Sequence, residues 1–257
     1  MPEPIAQQVS ARPCCLVTGA SRGIGRAICE DLARVGFDLV CWARTPIEPI
    51  DCGPSEGTGG RVVYQRVDVS DRESVRSAFR ELDAQGVVLT SVVINAGIGH
   101  WTTLRSLDHE EWRDTLATNL DGAYHVLKSV LSAFRTELHP VVVGILSDSA
   151  LYGFPARAAY SASKAGLRAL LEVARREERS RGVRFSLIYP SRVDTHFAGS
   201  HKVGVPGLRP EGLRASDVAA AVTYVLMQPV TVEIRELQLA AITDTFGPFQ
   251  ERSAHND

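Results

Sequence analysis

Short apolar runs alternate with helix-spaced segments along the chain, and this alternation limits the folds that the sequence can adopt. The first run, residues 13–17, ends in a glycine-rich turn, and residues 22–35 then carry apolar side chains at helical spacing. Gly36, a typical helix stop, precedes a second apolar run at residues 37–43. A strand, a helix and a strand in this order form a βαβ unit, which predicts a parallel sheet.

The rest of the chain repeats this pattern. Residues 45–60 contain three prolines and four glycines and are expected to form a loop without a helix. Strands are predicted at residues 61–67, 87–95, 141–146, 183–188 and 234–239, and helices at 71–85, 108–135 (one or two helices), 158–181 and 215–227. We therefore predict an α/β fold of the Rossmann type, with a doubly wound, seven-stranded parallel sheet flanked by helices in a single domain.

The length and charge of the chain set further limits. One domain at residues 13–249 is expected within the 257 residues, between a flexible N-terminal segment (1–12) and a C-terminal tail (250–257). The net charge of -2 and the absence of a Lys/Arg run argue against a nucleic-acid partner. No run of 18 apolar residues and no leader-like start are present, so we expect no membrane partner and a cytoplasmic location.

The cysteines indicate neither disulfides nor a metal site. Their number is odd, and they lack the spacing of Cys-x-x-Cys or Cys/His ligand sets. We expect reduced thiols within the core and no bound metal; the residues are Cys14, Cys15, Cys29, Cys41 and Cys52.

The glycine-rich turn at residues 18–25 (TGASRGIG) predicts a dinucleotide site. Glycines let the backbone approach a pyrophosphate, and the N-terminus of the following helix offers free N–H groups and a positive dipole end. The second strand ends in Ala43 and Arg44, where NAD-binding units carry an acid for the ribose hydroxyls. Arg44, together with Arg22 in the turn, favours the 2′-phosphate of NADP(H).

Tyr160 and Lys164 form a candidate catalytic pair. Their i, i+4 spacing places both side chains on one helix face, where an ammonium can stabilise a phenolate. An ordinary tyrosine, with a pKa of roughly 10, is a poor base near neutral pH. The spacing also occurs in helices without any function, so it carries weight only together with other motifs.

The order of the motifs resembles the short-chain dehydrogenase/reductase family over nearly the whole chain. Residues 18–25 are similar to its cofactor turn, Asp68-Val69 to its adenine-contacting pair, Asn95-Ala96-Gly97 to its NAG motif, and Asn119 to its helix asparagine. Tyr160 and Lys164 resemble its catalytic pair, with Ser147 at the usual upstream offset and Pro190, Val193 and Thr195 after the next strand.

The resemblance implies a role for each catalytic residue. Tyr160 is the general acid in carbonyl reduction and the general base in alcohol oxidation, and Ser147 binds the substrate oxygen. Lys164 lowers the pKa of Tyr160 and holds the nicotinamide ribose, and Asn119 anchors a proton-relaying water. The implied NADP(H)-binding residues are Gly19, Ser21, Arg22, Gly23, Ile24, Gly25, Arg44, Asp68, Val69, Asn95, Ala96, Gly97, Tyr160, Lys164, Pro190, Val193 and Thr195.

The substrate side is less defined. Ser149 is an alternative to Ser147, and Asp148 between them would need a partner, solvent or a polar substrate. Ile94 and Ser191 replace an asparagine and a glycine of the common family pattern, which affects the hold on the cofactor and not the reaction class. Candidate wall residues are His100, Trp101, Leu151, Tyr152, Phe154, His196 and Phe197, besides Ser149.

Several functions remain open. The first is an NADPH-dependent reductase of a ketone or aldehyde on a small to medium metabolite, or the reverse alcohol dehydrogenase. A 3-oxoacyl-carrier-protein-type reductase would need a basic patch, for which the sequence offers His201, Lys202, Arg209 and Arg214. A non-catalytic NADP(H) sensor would not need the four catalytic groups, and a nucleotide-sugar epimerase would need a larger C-terminal region. The two long helices at 108–135 and 158–181 resemble those that form homodimers or homotetramers in the family.

Overall fold

A parallel sheet forms the centre of the structure, a computed structural model that describes residues 12–51, 60–197, 206–207 and 210–242. The strands are β1 (Cys14–Thr18), β2 (Asp38–Ala43), β3 (Val62–Arg66), β4 (Ser91–Ile94), β5 (Val141–Ile145), β6 (Arg184–Pro190), β7 (Val193–Asp194), β8 (Leu213–Arg214) and β9 (Glu236–Leu239). Seven of them form the main sheet in the order β3-β2-β1-β4-β5-β6-β9, and β7 pairs with β8 beside it. The predicted seven-stranded parallel sheet is confirmed.

Helices cover both faces of the sheet. They are α1 (Gly23–Arg34), α2 (Arg72–Ala84), α3 (His109–Leu116), α4 (Gly122–Ala133), α5 (Ala158–Glu177) and α6 (Ala215–Leu226). Apolar residues of α2, α4 and α5 pack with one set of strand side chains, and those of α1 and α6 pack with the alternate set. Side chains on both faces are buried, so the strands read as continuous apolar runs, as expected for a parallel sheet.

The strand order reverses beside β1, which pairs with β2 on one side and with β4 on the other. In open parallel sheets a crevice forms outside the carboxyl ends of the strands at such a reversal, and ligands bind there. The connections that follow β1, β4, β5 and β6 all leave at this edge. They contain the motifs that the sequence identified, except the Asp68-Val69 pair, which follows β3.

Two predicted elements have different bounds. The strand expected at residues 87–95 begins at Ser91, because Gly86 adopts a φ of 66° and Val87 donates its N–H to the carbonyl of Leu82, which closes α2. Val87 therefore belongs to the end of α2 and not to the strand. The helical region expected at 108–135 is divided into α3 and α4 by a π-helical turn at Ala117–Asp121.

The expectations for loops and thiols agree with the described residues. No helix is present in residues 45–51, while 52–59 lie outside the described part, as do 1–11 and 243–257. Cys14, Cys15, Cys29 and Cys41 are free and buried, and Cys52 is outside the described residues. Burial raises the pKa of the Cys14 thiol to about 12, which keeps it in the unreactive protonated form.

Packing between β5 and α5 supplies a test of the fold. A Cβ added at Gly144 would collide with Cδ1 of the buried Leu171 and would lie 3.7 Å from Cγ of the same side chain. Gly144→Ala should cost about 1–3 kcal/mol through overpacking, and Leu171→Ala about 2–5 kcal/mol through a cavity. In the double variant the new methyl group occupies the space left by the leucine, so the combined loss in free energy of unfolding should be smaller than the sum.

Urea unfolding of the four proteins measures this coupling. Leu167, also buried on α5 and absent from the surroundings of the Gly144 Cβ, is the control: Gly144→Ala and Leu167→Ala should add. Additive losses for Gly144 and Leu171 would contradict the described packing.

Candidate active site

A cleft with a volume of about 380 Å³ lies at the carboxyl edge of the sheet. Its walls come from the connections that follow the first six strands, β1 to β6. The lining residues from the sequence prediction are Gly19, Ser21, Arg22, Gly23, Ile24, Arg44, Val69, Asn95, Ala96, Gly97, Trp101, Ser147, Tyr160, Lys164, Pro190, Val193, Thr195, His196 and Phe197. The structure therefore brings together most of the residues that the sequence selected.

The glycine turn between β1 and α1 forms one end of the cleft. Gly19 and Gly23 have φ values of 69° and 57°, which other residues rarely adopt. A Cβ on Gly25 would collide with the carbonyl oxygen of Gly19, so this glycine permits the turn without lining the cleft itself. Arg22, the residue before α1, makes no side-chain cap, and the first N–H groups of the helix are positioned for a pyrophosphate.

Thr18 and Asn95 fasten this turn to the connection after β4. The Thr18 hydroxyl oxygen accepts hydrogen bonds from the backbone N–H groups of Asn95 and Ala96, each at 3.0 Å. The Asn95 amide donates back to the Thr18 carbonyl at 2.9 Å. These three hydrogen bonds hold both walls of the crevice at a fixed separation, and the residues present accommodate a dinucleotide.

The end of β2 carries the groups that distinguish the two nicotinamide dinucleotides. Arg44 and Arg22 are exposed and line the cleft, and Thr45 beside them donates its hydroxyl hydrogen to Ser21 at 3.1 Å. Among the described residues that line this end, none is acidic. This corner therefore presents positive charge and hydroxyl groups.

Asp68 lies outside the lining of the cleft. Its carboxylate accepts hydrogen bonds from the backbone N–H and the hydroxyl of Ser70, at 3.0 and 2.7 Å. The backbone N–H of Asp68 donates to the Ser74 hydroxyl oxygen at 3.1 Å. Asp68 thus shapes the turn before α2, and its neighbour Val69 is the one that reaches the cleft.

Tyr160, Lys164 and Ser147 meet in the middle of the cleft. Ser147 follows the buried strand β5, and the other two lie one turn apart on α5. The Lys164 ammonium donates to the carbonyl of Ile145 at 2.8 Å and lies 5.8 Å from the centre of the Tyr160 ring. Burial lowers the pKa of Lys164 to about 8, since an ammonium loses hydration there.

Tyr160 is buried, and its environment favours the protonated phenol. Burial, assisted by the negative charge of Asp148, raises the pKa of Tyr160 to about 12, while a hydrogen bond with Ser147 and the charge of Arg157 act in the opposite direction. The lowering that the family resemblance assigns to Lys164 is not among these influences. A protonated phenol can donate a proton to a substrate oxygen, as carbonyl reduction requires.

Ser147 and Asp148 interact directly. The Ser147 hydroxyl donates to Oδ1 of Asp148 at 2.8 Å and accepts the backbone N–H of Ser149 at 3.1 Å. Ser149 is 2 % exposed and does not line the cleft, whereas Asp148 does. The geometry thus favours Ser147 over Ser149 as the group that reaches a substrate.

Asn119 is fully buried in the π-helical turn. Its amide oxygen accepts the N–H of Ile98 at 2.8 Å, and its amide nitrogen donates to the Ile98 carbonyl at 2.8 Å and to the Ser163 hydroxyl at 3.0 Å. These bonds join the connection after β4 to α5. The Asn119 side chain therefore positions the cleft wall and the helix that carries Tyr160.

Aromatic rings surround Tyr160 on the substrate side. Trp101 lies edge-on at 5.4 Å between ring centres, and Phe197 lies at 5.6 Å. His100, Leu151, Tyr152 and Phe154 are outside the described lining, and His100 instead lies 3.6 Å from Glu111. Arg157 lines the cleft and was missed by the sequence analysis, because it precedes α5 and helical spacing does not determine its direction.

Comparison with known proteins assigns the chain to a family. A model of the short chain dehydrogenase family matches residues 13–203. The chain belongs to this family. The 3-oxoacyl-[acyl-carrier-protein] reductase FabG of Escherichia coli (strain K12) is 31% identical over 215 residues, which cover 81% of this chain and 87% of that enzyme. An uncharacterized oxidoreductase of Myxococcus xanthus (strain DK1622) is 34% identical over 75% of this chain and 77% of its own length.

Solved structures of family members are similar as well. The alcohol dehydrogenase of the archaeon Thermococcus sibiricus, complexed with 5-hydroxy-NADP, has a TM-score of 0.81 at 31% identity and covers 92% of this chain and 100% of its own. A 3-ketoacyl-ACP reductase from Sinorhizobium meliloti 1021 has a TM-score of 0.76 at 27% identity, over 88% and 97% of the two chains. This short-chain dehydrogenase is an NAD(P)-dependent oxidoreductase. No helix in its described part has the length and apolar character needed to cross a membrane.

The buried lysine predicts a pH dependence of stability. The folded protein releases the Lys164 proton near pH 8, whereas an unfolded chain retains it to about 10.5. Between these values the unfolded state binds more protons, so Lys164 contributes a rise in the free energy of unfolding as pH increases. Lys164→Met should abolish this contribution, while Lys128→Met, at an exposed position on α4, should leave it intact.

Urea unfolding of the ligand-free proteins from pH 7.5 to 10 provides the measurement. The difference between wild type and Lys164→Met should grow with pH across this range. A constant difference would contradict the burial of the ammonium.

Proposed function

We propose that this chain is an NADPH-dependent reductase of a ketone or aldehyde on a small to medium metabolite, or catalyses the reverse oxidation, with Tyr160 as general acid or base. The observation that carries the proposal is the convergence of Tyr160, Ser147 and Lys164 at one point of the cleft. That point lies between the glycine turn on one side and the Trp101 and Phe197 rings on the other. A carbonyl compound resting on these rings would have its oxygen within reach of two hydroxyl groups.

Each catalytic residue has a separate role in the proposed reaction. A bound NADPH supplies the hydride to the carbonyl carbon, and the electron pair of the C=O bond moves to oxygen. Tyr160 donates its proton to that oxygen, and Ser147 supplies a hydrogen bond to it. Once the proton has left, the Lys164 ammonium, 5.8 Å from the centre of the Tyr160 ring, is a positive charge near the phenolate, although it does not lower the pKa of the tyrosine before the reaction. The alcohol product contains the hydride and the tyrosine proton.

Replacement of Tyr160 by phenylalanine tests the chemistry. Tyr160→Phe removes the proton donor while retaining the ring that contacts Trp101 and Phe197. We expect turnover with a carbonyl panel to fall by at least about 100-fold, with the NADPH dissociation constant unchanged within a few-fold. NADPH fluorescence reports both quantities.

Tyr152→Phe is a matched control, since this tyrosine lies outside the described lining of the cleft. Tight NADPH binding without turnover of any carbonyl or alcohol would favour the alternative of a non-catalytic NADP(H)-binding sensor. Equal turnover in Tyr160→Phe and wild type would refute the role of this residue.

The proposed preference for NADP(H) rests on the charged residues near the end of β2. Arg44 and Arg22 lie where an acid would accept the ribose hydroxyls of NAD, and a 2′-phosphate can bind to both guanidinium groups. The similarity to the Thermococcus sibiricus enzyme, which was solved with an NADP derivative, supports this preference.

Removal of one positive charge at the end of β2 tests the preference for NADP(H). Arg44→Ala should weaken NADPH binding by about 10- to 100-fold, the value of a charged hydrogen bond, and leave NADH binding unchanged. Arg72→Ala removes an exposed charge of the same sign outside the described lining and should change neither. Wild-type preference for NADH in the same fluorescence titration would refute the assignment.

A 3-oxoacyl-carrier-protein-type reductase is a second candidate, favoured by the similarity to the Escherichia coli FabG enzyme. Of the basic residues proposed for a carrier-protein patch, Arg214 is exposed, and His201, Lys202 and Arg209 lie outside the described residues. Turnover of a 3-oxoacyl thioester that increases on attachment to the carrier protein would favour this candidate.

We also propose a cytoplasmic homodimer or homotetramer. The partly exposed apolar side chains of Tyr124 on α4 and Val173 on α5, exposed by 44% and 49%, support contacts between copies through these helices. Light scattering of the purified protein measures the mass directly.

A further inference from the structure

Arg157 occupies an unusual place in the cleft. It precedes α5 directly, three residues before Tyr160, and its partly buried side chain lines the cavity. The guanidinium carbon lies 4.9 Å from the centre of the Trp101 ring and 5.0 Å from that of Phe154. Trp101 in turn contacts the Tyr160 ring. The Arg157 guanidinium and the Tyr160 ring therefore both contact Trp101.

The backbone around Arg157 is fixed by its neighbours. Thr102 and Arg157 form an isolated parallel β-bridge, which joins the connection after β4 to the start of α5. Ala156 has a φ of 59°, in the left-handed region that costs a non-glycine residue about 1–2 kcal/mol. Strained residues of this kind persist where the surrounding structure holds them, often at ligand sites. The strain turns the chain so that Arg157 enters the cleft.

The arrangement of the guanidinium suits anion binding. Contact with two aromatic rings restricts the movement of the group, and a guanidinium offers five N–H donors in one plane, which match a carboxylate or phosphate bidentately. One donor makes a long contact of 3.5 Å with the Ser149 hydroxyl. Charge on a stacked guanidinium is also less hydrated than on a lysine, so its pairing with an anion costs less.

We propose that Arg157 is a specificity-determining residue that binds an acidic group of the substrate, so that the substrate is a ketone or alcohol carrying a carboxylate or similar anion a few bonds from the reacting carbon. This inference rests on the proposed reductase function and specifies its substrate class. Tyr160 and Ser147 form hydrogen bonds with the reacting oxygen of the substrate. Trp101 contacts the intervening carbons, and Arg157 binds the acidic group.

Asp148 sets the orientation of such a substrate. Its carboxylate lies beside Ser147 and accepts the hydroxyl hydrogens of Ser147 at 2.8 Å and Ser149 at 3.4 Å. The Arg157 guanidinium reaches the same Ser149 hydroxyl at 3.5 Å, so the two opposite charges lie close together. A substrate acid would be repelled by Asp148 and therefore has to approach the guanidinium from the side away from that carboxylate.

Binding to the Tyr160→Phe protein in complex with NADPH tests the proposal without turnover. The probes are 3-oxobutanoate, 4-oxopentanoate and 5-oxohexanoate, each with its methyl ester, which retains the ketone and removes the charge. Quenching of tryptophan or NADPH fluorescence gives the dissociation constants. At least one acid should bind about 10- to 100-fold more tightly than its ester.

Substitutions of Arg157 identify the residue responsible. In the same background, Arg157→Gln should abolish the difference between acid and ester, and Arg157→Lys should restore only part of it because the planar fork is lost. Arg105→Gln, at an exposed position outside the described lining, should keep the full difference. NADPH affinity and thermal midpoint establish that each variant is folded with an intact cofactor site.

Four results would overturn the inference. Equal binding of acids and esters at all three lengths, or no binding of the acids, would do so, as would an acid preference that survives Arg157→Gln. Preferential binding of 1-aminopropan-2-one, lost in Asp148→Asn, would identify a cationic substrate instead. Wild-type reduction of neutral ketones would leave the proposed function standing in each case, whereas absence of NADPH binding would remove that function and the inference with it.

Discussion

The parallel pairing of β1 with both β2 and β4 is the constraint on which the site depends. Because all seven strands run in one direction, the chain leaves the sheet at the same edge after each strand, and the reversal of order beside β1 opens a crevice there. The hydrogen bonds between Thr18 and the start of the next connection fix the width of that crevice. Residues that are up to 178 positions apart in sequence, from Gly19 to Phe197, thereby line one cavity.

The catalytic groups depend on the same sheet through β5. Lys164 donates to the carbonyl of Ile145, the last residue of that strand, so the helix that carries Tyr160 is tied to the strand that leads to Ser147. Asn119 makes a second tie, from the π-helical turn to the connection after β4 and to Ser163 on α5. The buried polar side chains thus hold three segments together, and each has a partner that offsets its desolvation.

The sequence predicted the sheet and the central catalytic groups because both follow from local patterns. Apolar runs of strand length and helical spacing identify elements wherever packing agrees with them, and the glycine turn and the Tyr160 to Lys164 spacing are short-range signals. The start of β4 was misplaced because Val87 is apolar for a different reason: it closes α2 behind Gly86. Element boundaries depend on such competing uses of a residue.

Features that arise between distant segments were not predicted. Arg157 reaches the cleft because Ala156 takes a left-handed φ and Thr102 pairs with the backbone, and no local pattern encodes either. His100 likewise turns toward Glu111 and away from the cleft. The turn of Asp68 with Ser70 is local, and the sequence analysis did not consider it. Sequence motifs select residue types, while tertiary contacts decide which of them face the cavity.

The hydrogen bond from Ser147 to Asp148 has a consequence for the direction of the reaction. A serine hydroxyl has a single hydrogen, and here the aspartate accepts it. A ketone can only accept, so to bind Ser147 it must replace the carboxylate as acceptor, whereas an alcohol can donate to the serine lone pairs and leave that bond intact. Ser147 is therefore the hydrogen-bond donor to a ketone and the hydrogen-bond acceptor from an alcohol.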